Sequence, residues 1–189
     1  MRLLIAALGL TVAFASQADW QLESASSQLR FVSVKNGDVA EVHGFKQLSG
    51  SWADDGKVTV QIPVSTVDTM IPIRNERILE HVLQAKKYPN ISATAIIEPK
   101  LVADFKVGDS IQHSTELTVA LLDQSQALPV QLTLTKLAEG KVQATTTAPV
   151  MISSTAFKLD TGVRKLQEIA KLNDISLMVP VTFSVEFKR

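Results

Sequence analysis

The sequence contains no cysteine and no excess of charge, with 19 basic and 19 acidic residues among 189. The absence of cysteine excludes disulfides, thiol catalysis, zinc–thiolate sites and lipid attachment through an N-terminal cysteine. A chain close to neutrality lacks the basic footprint of nucleic-acid binding, so we expect no nucleic-acid partner. The three histidines, His43, His81 and His113, are scattered. We therefore expect no metal site and no cofactor.

The first 18 residues have the three-part pattern of a secretory signal peptide. Arg2 is their only charge, an apolar run follows at residues 3–14 (LLIAALGLTVAF), and small residues lead to Ala18. The run is shorter than the roughly 20 residues that a membrane-spanning helix needs, and a buried N-terminal helix is the alternative to a signal peptide. We predict cleavage after Ala18, with Ala15 as the alternative site, and a periplasmic location.

Residues 19–189 are then expected to form a single domain with a sizeable core. No later apolar run reaches membrane-spanning length, so we expect no transmembrane segment in the mature form. No linker, low-complexity tract or internal repeat divides this region.

Strict alternation of apolar and polar residues is the dominant pattern, and it is typical of strands that are half buried on a core. It is clearest at residues 57–64 (KVTVQIPV), 128–134 (LPVQLTL) and 179–187 (VPVTFSVEF). Weaker segments at residues 20–23, 28–34, 42–52, 91–98, 114–123 and 141–153 complete about eight to nine strands. Many strands with few helices predict a mainly β protein, either a closed barrel or a sandwich.

Two segments break the alternation and predict short helices. Residues 74–85 carry an amphipathic apolar stripe, and residues 161–172 carry a weaker one. Residues 99–107 fit either a strand or a short helix. A barrel of about eight strands is just wide enough to hold a small ligand. We expect the insertion at residues 65–90 to cover one end of it.

The order of several short motifs resembles the YceI-like family. They lie at residues 20–23, 27–31, 42–45, 48–52, 60–69, 74–79 and 88–93, so the resemblance covers roughly residues 20–97. The C-terminal half is similar mainly in its strand layout. Two positions depart from the family pattern, since Arg77 replaces a common histidine and residues 152–159 lack an Arg-x-x-Phe-Gly stretch.

The resemblance implies an extended, lipocalin-like antiparallel β-barrel with an apolar interior. It also implies an amphiphilic ligand, a polyisoprenoid or a related long-chain lipid, and we therefore expect a polyisoprenoid, an isoprenoid quinone or a fatty-acid-like molecule. Many members of the family are periplasmic, and members are often dimers, so a homodimer is an open expectation here.

The candidate ligand-binding residues are inward-facing apolar side chains, apolar residues around the first predicted helix and two arginines in its first turn. They are Phe31, Phe45, Val60, Ile62, Met70, Ile73, Arg74, Arg77, Leu79, Leu132, Met151, Phe157, Val181 and Phe183. Cations at a helix N-terminus oppose the helix dipole, which an anionic headgroup would compensate. Pairing of the arginines with Glu76 and Glu80, or a solvated surface, is the alternative.

Three functions remain open at this stage. We expect a non-enzymatic lipid-binding protein with a role such as transport, in which an apolar lumen holds the chain. The alternative is an interaction module with a filled core that engages a periplasmic or membrane partner. An enzyme would need a Ser–His or carboxylate site, but no G-x-S-x-G or H-x-x-x-H pattern occurs, so we expect none.

Overall fold

The computed structural model describes residues 19–189, so the predicted signal peptide lies outside the described residues. This part of the chain forms twelve strands and a few short helices. The strands are β1 (Trp20–Leu22), β2 (Gln28–Lys35), β3 (Val39–Phe45), β4 (Ser49–Trp52), β5 (Lys57–Pro63), β6 (Val67–Asp68), β7 (Asn90–Ile96), β8 (Ser110–Leu121), β9 (Gln124–Ala138), β10 (Lys141–Thr146), β11 (Val150–Ser153) and β12 (Met178–Lys188). The α-helices are α1 (Pro72–Arg77), α2 (Lys100–Ala103) and α3 (Asp160–Ala170). Helical turns occupy Ser24–Ser26, Val64–Thr66 and the π-helical Ile78–Val82.

Eight of these strands close into an antiparallel barrel. The ring runs in the order β1-β4-β5-β7-β8-β9-β10-β12, and β12 returns to β1 through the pairs Gln21–Lys188 and Leu22–Phe187. The other four strands extend this ring at one end, where β2 and β11 pair with the N-terminal half of β12. The mainly β class predicted from the alternating segments is confirmed, and so is the antiparallel barrel that the resemblance implies.

Two of the predicted strands are divided in the structure. Residues 42–52 contain parts of β3 and β4, and residues 141–153 contain β10 and β11. A similar break separates β1 from β2, and serine side chains bond the backbone there. Ser24 Oγ accepts a hydrogen bond from the Leu48 N–H at 3.1 Å, and Ser27 Oγ accepts one from the Glu186 N–H at 2.9 Å. These bonds pair backbone groups that the interrupted ladder would leave unmatched.

The first predicted helix begins slightly earlier than expected and changes form along its length. Pro72 starts α1, where its missing N–H is not needed. After Arg77 the chain continues as the π-helical turn, in which the Leu83 N–H bonds the Ile78 carbonyl at 2.9 Å. The second predicted helix is α3, and the ambiguous segment at residues 99–107 contains α2.

One end of the barrel, called the floor here, is closed by Trp20, Trp52, Phe187 and α2. The Trp20 and Trp52 ring centroids lie 5.6 Å apart, and the Trp52 and Phe187 centroids lie 6.0 Å apart. The Trp52 indole N–H donates to the Ile97 carbonyl at 2.7 Å, so its polar group is satisfied although the side chain is buried. Val102 of α2 packs into the same cluster.

The opposite end is covered by residues 72–85 together with α3, a pair of segments called the lid here. α3 packs against the π-helical turn. Beneath the lid, a second apolar cluster joins Val64 and Leu83 to Val119, Leu121, Phe157 and Leu159. No helix in residues 19–189 is both long and apolar enough to span a bilayer.

Candidate functional site

An apolar cavity runs inside the barrel from the floor to the lid. Its volume is about 280 Å³, and its wall includes Trp52 and Phe187 at one end and Ile78, Val82 and Leu166 of the lid at the other. This volume lies near the lower limit of ligand pockets, which measure about 300–1,000 Å³. The lining side chains are apolar except for Ser33, Ser154 and Ser176.

Half of the predicted site residues lie in the wall of this cavity. They are Phe31, Phe45, Val60, Ile62, Leu132, Val181 and Phe183. Each belongs to the inward-facing set of an alternating strand, which is why sequence alone places it correctly. Their contact with a ligand stays a prediction.

The other apolar candidates lie outside the wall. Met70 and Ile73 are exposed, with 83% and 50% of their surface accessible, so they face away from the lumen. Met151 lies between the inward-facing Val150 and Ile152 and therefore points outward. Leu79 and Phe157 pack in the cluster beneath the lid, where Phe157 is almost completely buried. These two side chains support the lid without lining the cavity.

The two arginines also lie outside the cavity wall. Arg74 donates from Nη1 to Glu41 Oε2 at 2.9 Å and from Nη2 to the Thr69 carbonyl at 2.6 Å. Its partner is therefore a carboxylate on β3, neither Glu76 nor Glu80. Arg77 is half buried and makes no ion pair within residues 19–189. Binding of an anionic headgroup by either arginine remains a prediction.

Polar groups meet the lumen at the lid end of β2 and β3. Phe31 and Ser33 of β2 line the cavity, and His43 and Glu41 of β3 lie opposite them on the same face of the sheet without lining it. His43 is 4% exposed, and its Nε2 lies 2.8 Å from Ser33 Oγ. The His43 and Phe31 rings are 5.2 Å apart. His43 thus positions the hydroxyl of Ser33, which lines the cavity.

The charged side chains near His43 and Ser33 form ion pairs with one another. Lys35 Nζ binds Glu41 Oε2 at 2.6 Å, and Arg74 binds the same oxygen. The hydrogen bond from Lys35 lowers the pKa of Glu41 most, and Arg74 lowers it further. Burial lowers the pKa of His43, and the positive charge of Arg74 acts in the same direction. The imidazole is therefore neutral at neutral pH.

This arrangement can form hydrogen bonds, but it lacks the parts of a hydrolytic site. A Ser–His contact is present, yet His43 Nδ1 has no hydrogen-bond partner among the described residues. A nucleophilic serine needs its histidine oriented by a third group. Residues 19–189 also contain no cluster of three or more His, Cys, Asp or Glu residues that could hold a metal ion.

Sequence reasoning did not select the serines as site residues. A usable signal was present, because Ser33 and Lys35 continue the inward register of Leu29 and Phe31 on β2. A change from apolar to polar residues within one face of a strand marks the point where a lumen becomes polar. Ser154 and Ser176 lie outside any strand, so alternation could not have identified them.

Comparison with known families and structures agrees with this geometry. The model of the YceI-like domain family matches residues 20–187. A solved polyisoprenoid-binding domain from Saccharophagus degradans, described as implicated in plant cell wall breakdown, has 28% sequence identity and a TM-score of 0.87. The match covers 89% of this chain and 97% of that domain.

More distant structures share the fold. BcnA from Burkholderia cenocepacia has 19% identity and a TM-score of 0.67, with 87% of this chain and 98% of that one covered. The YceI protein from Campylobacter jejuni has 18% identity and a TM-score of 0.54, with 78% and 84% covered. Among curated proteins, none matches the chain significantly.

Proposed function

Because the chain belongs to the YceI-like family, we propose that it binds a long-chain amphiphile, a polyisoprenoid or a related lipid, inside the barrel. One observation carries this proposal: the cavity wall is apolar from the floor to the lid, apart from three serines. The solved domain from Saccharophagus degradans, described as polyisoprenoid-binding, supports the ligand class. The family is one of binding proteins, not enzymes.

Burial of the lipid chain supplies the binding free energy. Each methylene moved from water into an apolar wall contributes about 0.8 kcal/mol. Ile78, Val82 and Leu166 of the lid form part of this wall. A bound chain is therefore covered by the lid, and displacement of the lid limits exchange of the lipid.

The experiment is native mass spectrometry of the chain from residue 19, purified without detergent, followed by solvent extraction and identification of the lipid. A stoichiometric long-chain adduct supports the proposal. An unshifted mass that also stays unshifted after incubation with polyprenols, isoprenoid quinones and fatty acids contradicts it. That result would favour the alternative, an interaction module that engages a periplasmic or membrane partner. The cavity favours lipid binding, because the alternative requires a filled core.

The proposal includes export to the periplasm and a role such as lipid transport. The basic, apolar and small-residue pattern of residues 1–18 supports export. Cell fractionation and N-terminal sequencing of the product test it, with a mature chain beginning at Asp19 as the expected result. Recovery of the full-length chain in the cytoplasm would contradict it. The homodimer stays a prediction that light scattering during size-exclusion chromatography checks.

A further inference from the structure

The inner surface of the barrel changes from apolar to hydroxyl-bearing at the lid end of three adjacent segments. On β2, the lining residues Leu29 and Phe31 are followed by Ser33. On β11, Val150 and Ile152 are followed by Ser154 just beyond the strand. Along β12 the lining residues include Val179 and Val181, and Ser176 lines the cavity just before the strand begins.

The backbone places these three segments side by side. The Ser176 N–H donates to the Val34 carbonyl at 2.8 Å, which joins the segment before β12 to β2. The Ser154 N–H donates to the Leu177 carbonyl at 2.8 Å, which joins the same segment to the end of β11. The three serines of the cavity wall therefore lie at one end of an otherwise apolar lumen.

Ser33 is the one of the three serines whose hydroxyl bonds a buried side chain, whereas Ser176 Oγ bonds the backbone of Met178. If His43 Nε2–H donates to Ser33 Oγ, the hydroxyl proton is left to donate into the cavity. If the hydroxyl donates to Nε2, its oxygen still accepts a bond from the cavity. In either tautomer Ser33 offers the lumen one hydrogen bond. His43 is more than nine-tenths buried, and its Nδ1 has no partner among the described residues.

The charges near this end do not reach the cavity wall. Lys35 and Arg74 both bind Glu41 Oε2, and none of the three residues lines the cavity. An ionised group that enters an apolar site without a counter-charge carries a large desolvation cost. A hydroxyl or carbonyl group has a smaller desolvation cost, and a single hydrogen bond is enough to offset it.

We infer that the lid end of the lumen is a binding site for a neutral, hydrogen-bonding headgroup, an alcohol or a ketone. Ser33 makes the bond, with His43 as its positioning residue, and the apolar tail extends toward the floor. This inference rests on the proposed function, because it assigns the orientation and the headgroup class of the same ligand.

The test compares three probes with the same isoprenoid chain: geranylgeraniol, the matching hydrocarbon without the hydroxyl, and geranylgeranyl diphosphate. We expect the alcohol to bind about three- to tenfold more tightly than the hydrocarbon, which is the effect of one neutral hydrogen bond. The diphosphate should bind more weakly than the alcohol. The Ser33→Ala variant should remove the preference for the alcohol and leave binding of the hydrocarbon unchanged.

Matched variants separate this role from a general loss of structure. Ser114→Ala removes an exposed serine of β8 and should leave the preference for the alcohol intact. His43→Leu should weaken the preference, and His43→Gln, which can still hydrogen-bond Ser33, should restore part of it. If His43→Leu and His43→Gln reduced the preference for the alcohol equally, His43 would have no positioning role.

The orientation has its own readout, because the two tryptophans of the chain, Trp20 and Trp52, both lie at the floor. A bromine atom at the tail end of geranylgeraniol should quench their fluorescence, and a bromine atom beside the hydroxyl should not.

The outcomes distinguish the two proposals. If none of the probes binds, the proposed function fails. If alcohol and hydrocarbon bind equally, lipid binding stands and the headgroup site is wrong. Tighter binding of the diphosphate overturns the neutral headgroup, and quenching by the bromine beside the hydroxyl overturns the orientation.

Discussion

Gly162 of α3 lies so close to the backbone of His81 that a β-carbon added to it would lie 2.2 Å from the His81 carbonyl oxygen and 2.8 Å from the carbonyl carbon. His81 belongs to the π-helical turn, so the two halves of the lid touch through their backbones. The lid can take this form only if position 162 carries no side chain.

Gly162→Ala should therefore loosen the lid. The new methyl group forces α3 away from the π-helical turn, and overpacking of this kind costs about 1–3 kcal/mol. We expect a lower free energy of unfolding in urea and faster release of bound lipid in a transfer assay. Thr161→Ala, on the exposed side of the same helix, is the control. Equal release rates for the two variants would show that this contact does not govern exchange.

Filling the lumen should abolish lipid binding without unfolding the protein. Ala93 of β7 lines the cavity, whereas Ile96 of the same strand is 58% exposed. Ala93→Trp places a ring in the space that the lipid chain would occupy, so we expect affinity to fall by at least about tenfold. Ile96→Trp should leave affinity unchanged. Native mass spectrometry and circular dichroism measure the two effects, and lipid retained by the Ala93 variant would contradict the site.

Stability should fall as the pH drops below about 6.5, the ordinary pKa of histidine. Because burial lowers the pKa of His43 in the folded protein, the unfolded chain takes up a proton first. The contribution of neutral His43 to the free energy of unfolding is fully present above pH 6.5. It is lost as the pH falls from that value to the lowered pKa of His43 in the folded protein. His43 faces Arg74, Glu41, Lys35 and Asp68, and the pKa values of Glu41 and Asp68 are lowered, so both acids stay ionised in this window.

Urea titrations at several pH values measure this dependence. His43→Gln should flatten the curve between pH 5 and 7, roughly the range in which a shifted histidine titrates. His113→Gln, which alters a histidine of β8, serves as the control. A wild-type slope in the His43 variant would assign the pH dependence to another group.

Arg74 and Arg77 should differ in their effect on stability. Arg74→Met leaves Glu41 with one cation instead of two, and both side chains are only partly exposed. We expect a loss of about 1–2 kcal/mol, between the values for surface and fully buried pairs. Arg77→Met should change the free energy of unfolding by less than about 0.5 kcal/mol.

A double-mutant cycle with Glu41→Gln isolates the coupling between Arg74 and Glu41. Additive effects would mean that the pair contributes nothing. The same variants, assayed with a fatty acid, test the predicted role of the arginines in binding an anionic headgroup.

Alternation placed seven of the fourteen predicted site residues in the cavity wall, because it reports directly which side of a strand is buried. The choice of a barrel over a sandwich came from the resemblance to the YceI-like family, since alternation fits both. Phe31, Val60, Leu132 and Phe183 are all read correctly in this way. The strand breaks could not be predicted, since they depend on bonds such as Leu48 N–H to Ser24 Oγ that join distant segments.

The polar contacts were harder to predict for the same reason. The partner of Arg74 is Glu41, which is 33 positions away and not on the same helix. Local charge spacing could only suggest Glu76 and Glu80. Likewise, Phe157 was expected to contact a ligand, but it packs in the cluster beneath the lid and does not line the cavity.

The pairing of β1 with β12 has a consequence for the order of folding. The hairpin of β8 and β9 turns on two residues, so its pairing is local and quick to form. Gln21 and Lys188, by contrast, must meet across nearly the whole described chain. Until the last strand has been delivered, β1 has an unpaired edge on the side that β12 covers in the closed barrel, and such edges recruit other strands. In a chain that crosses a membrane with its N-terminus first, this edge stays exposed until the C-terminal strand has crossed. We therefore expect the tendency of such a chain to aggregate to end only when β12 emerges.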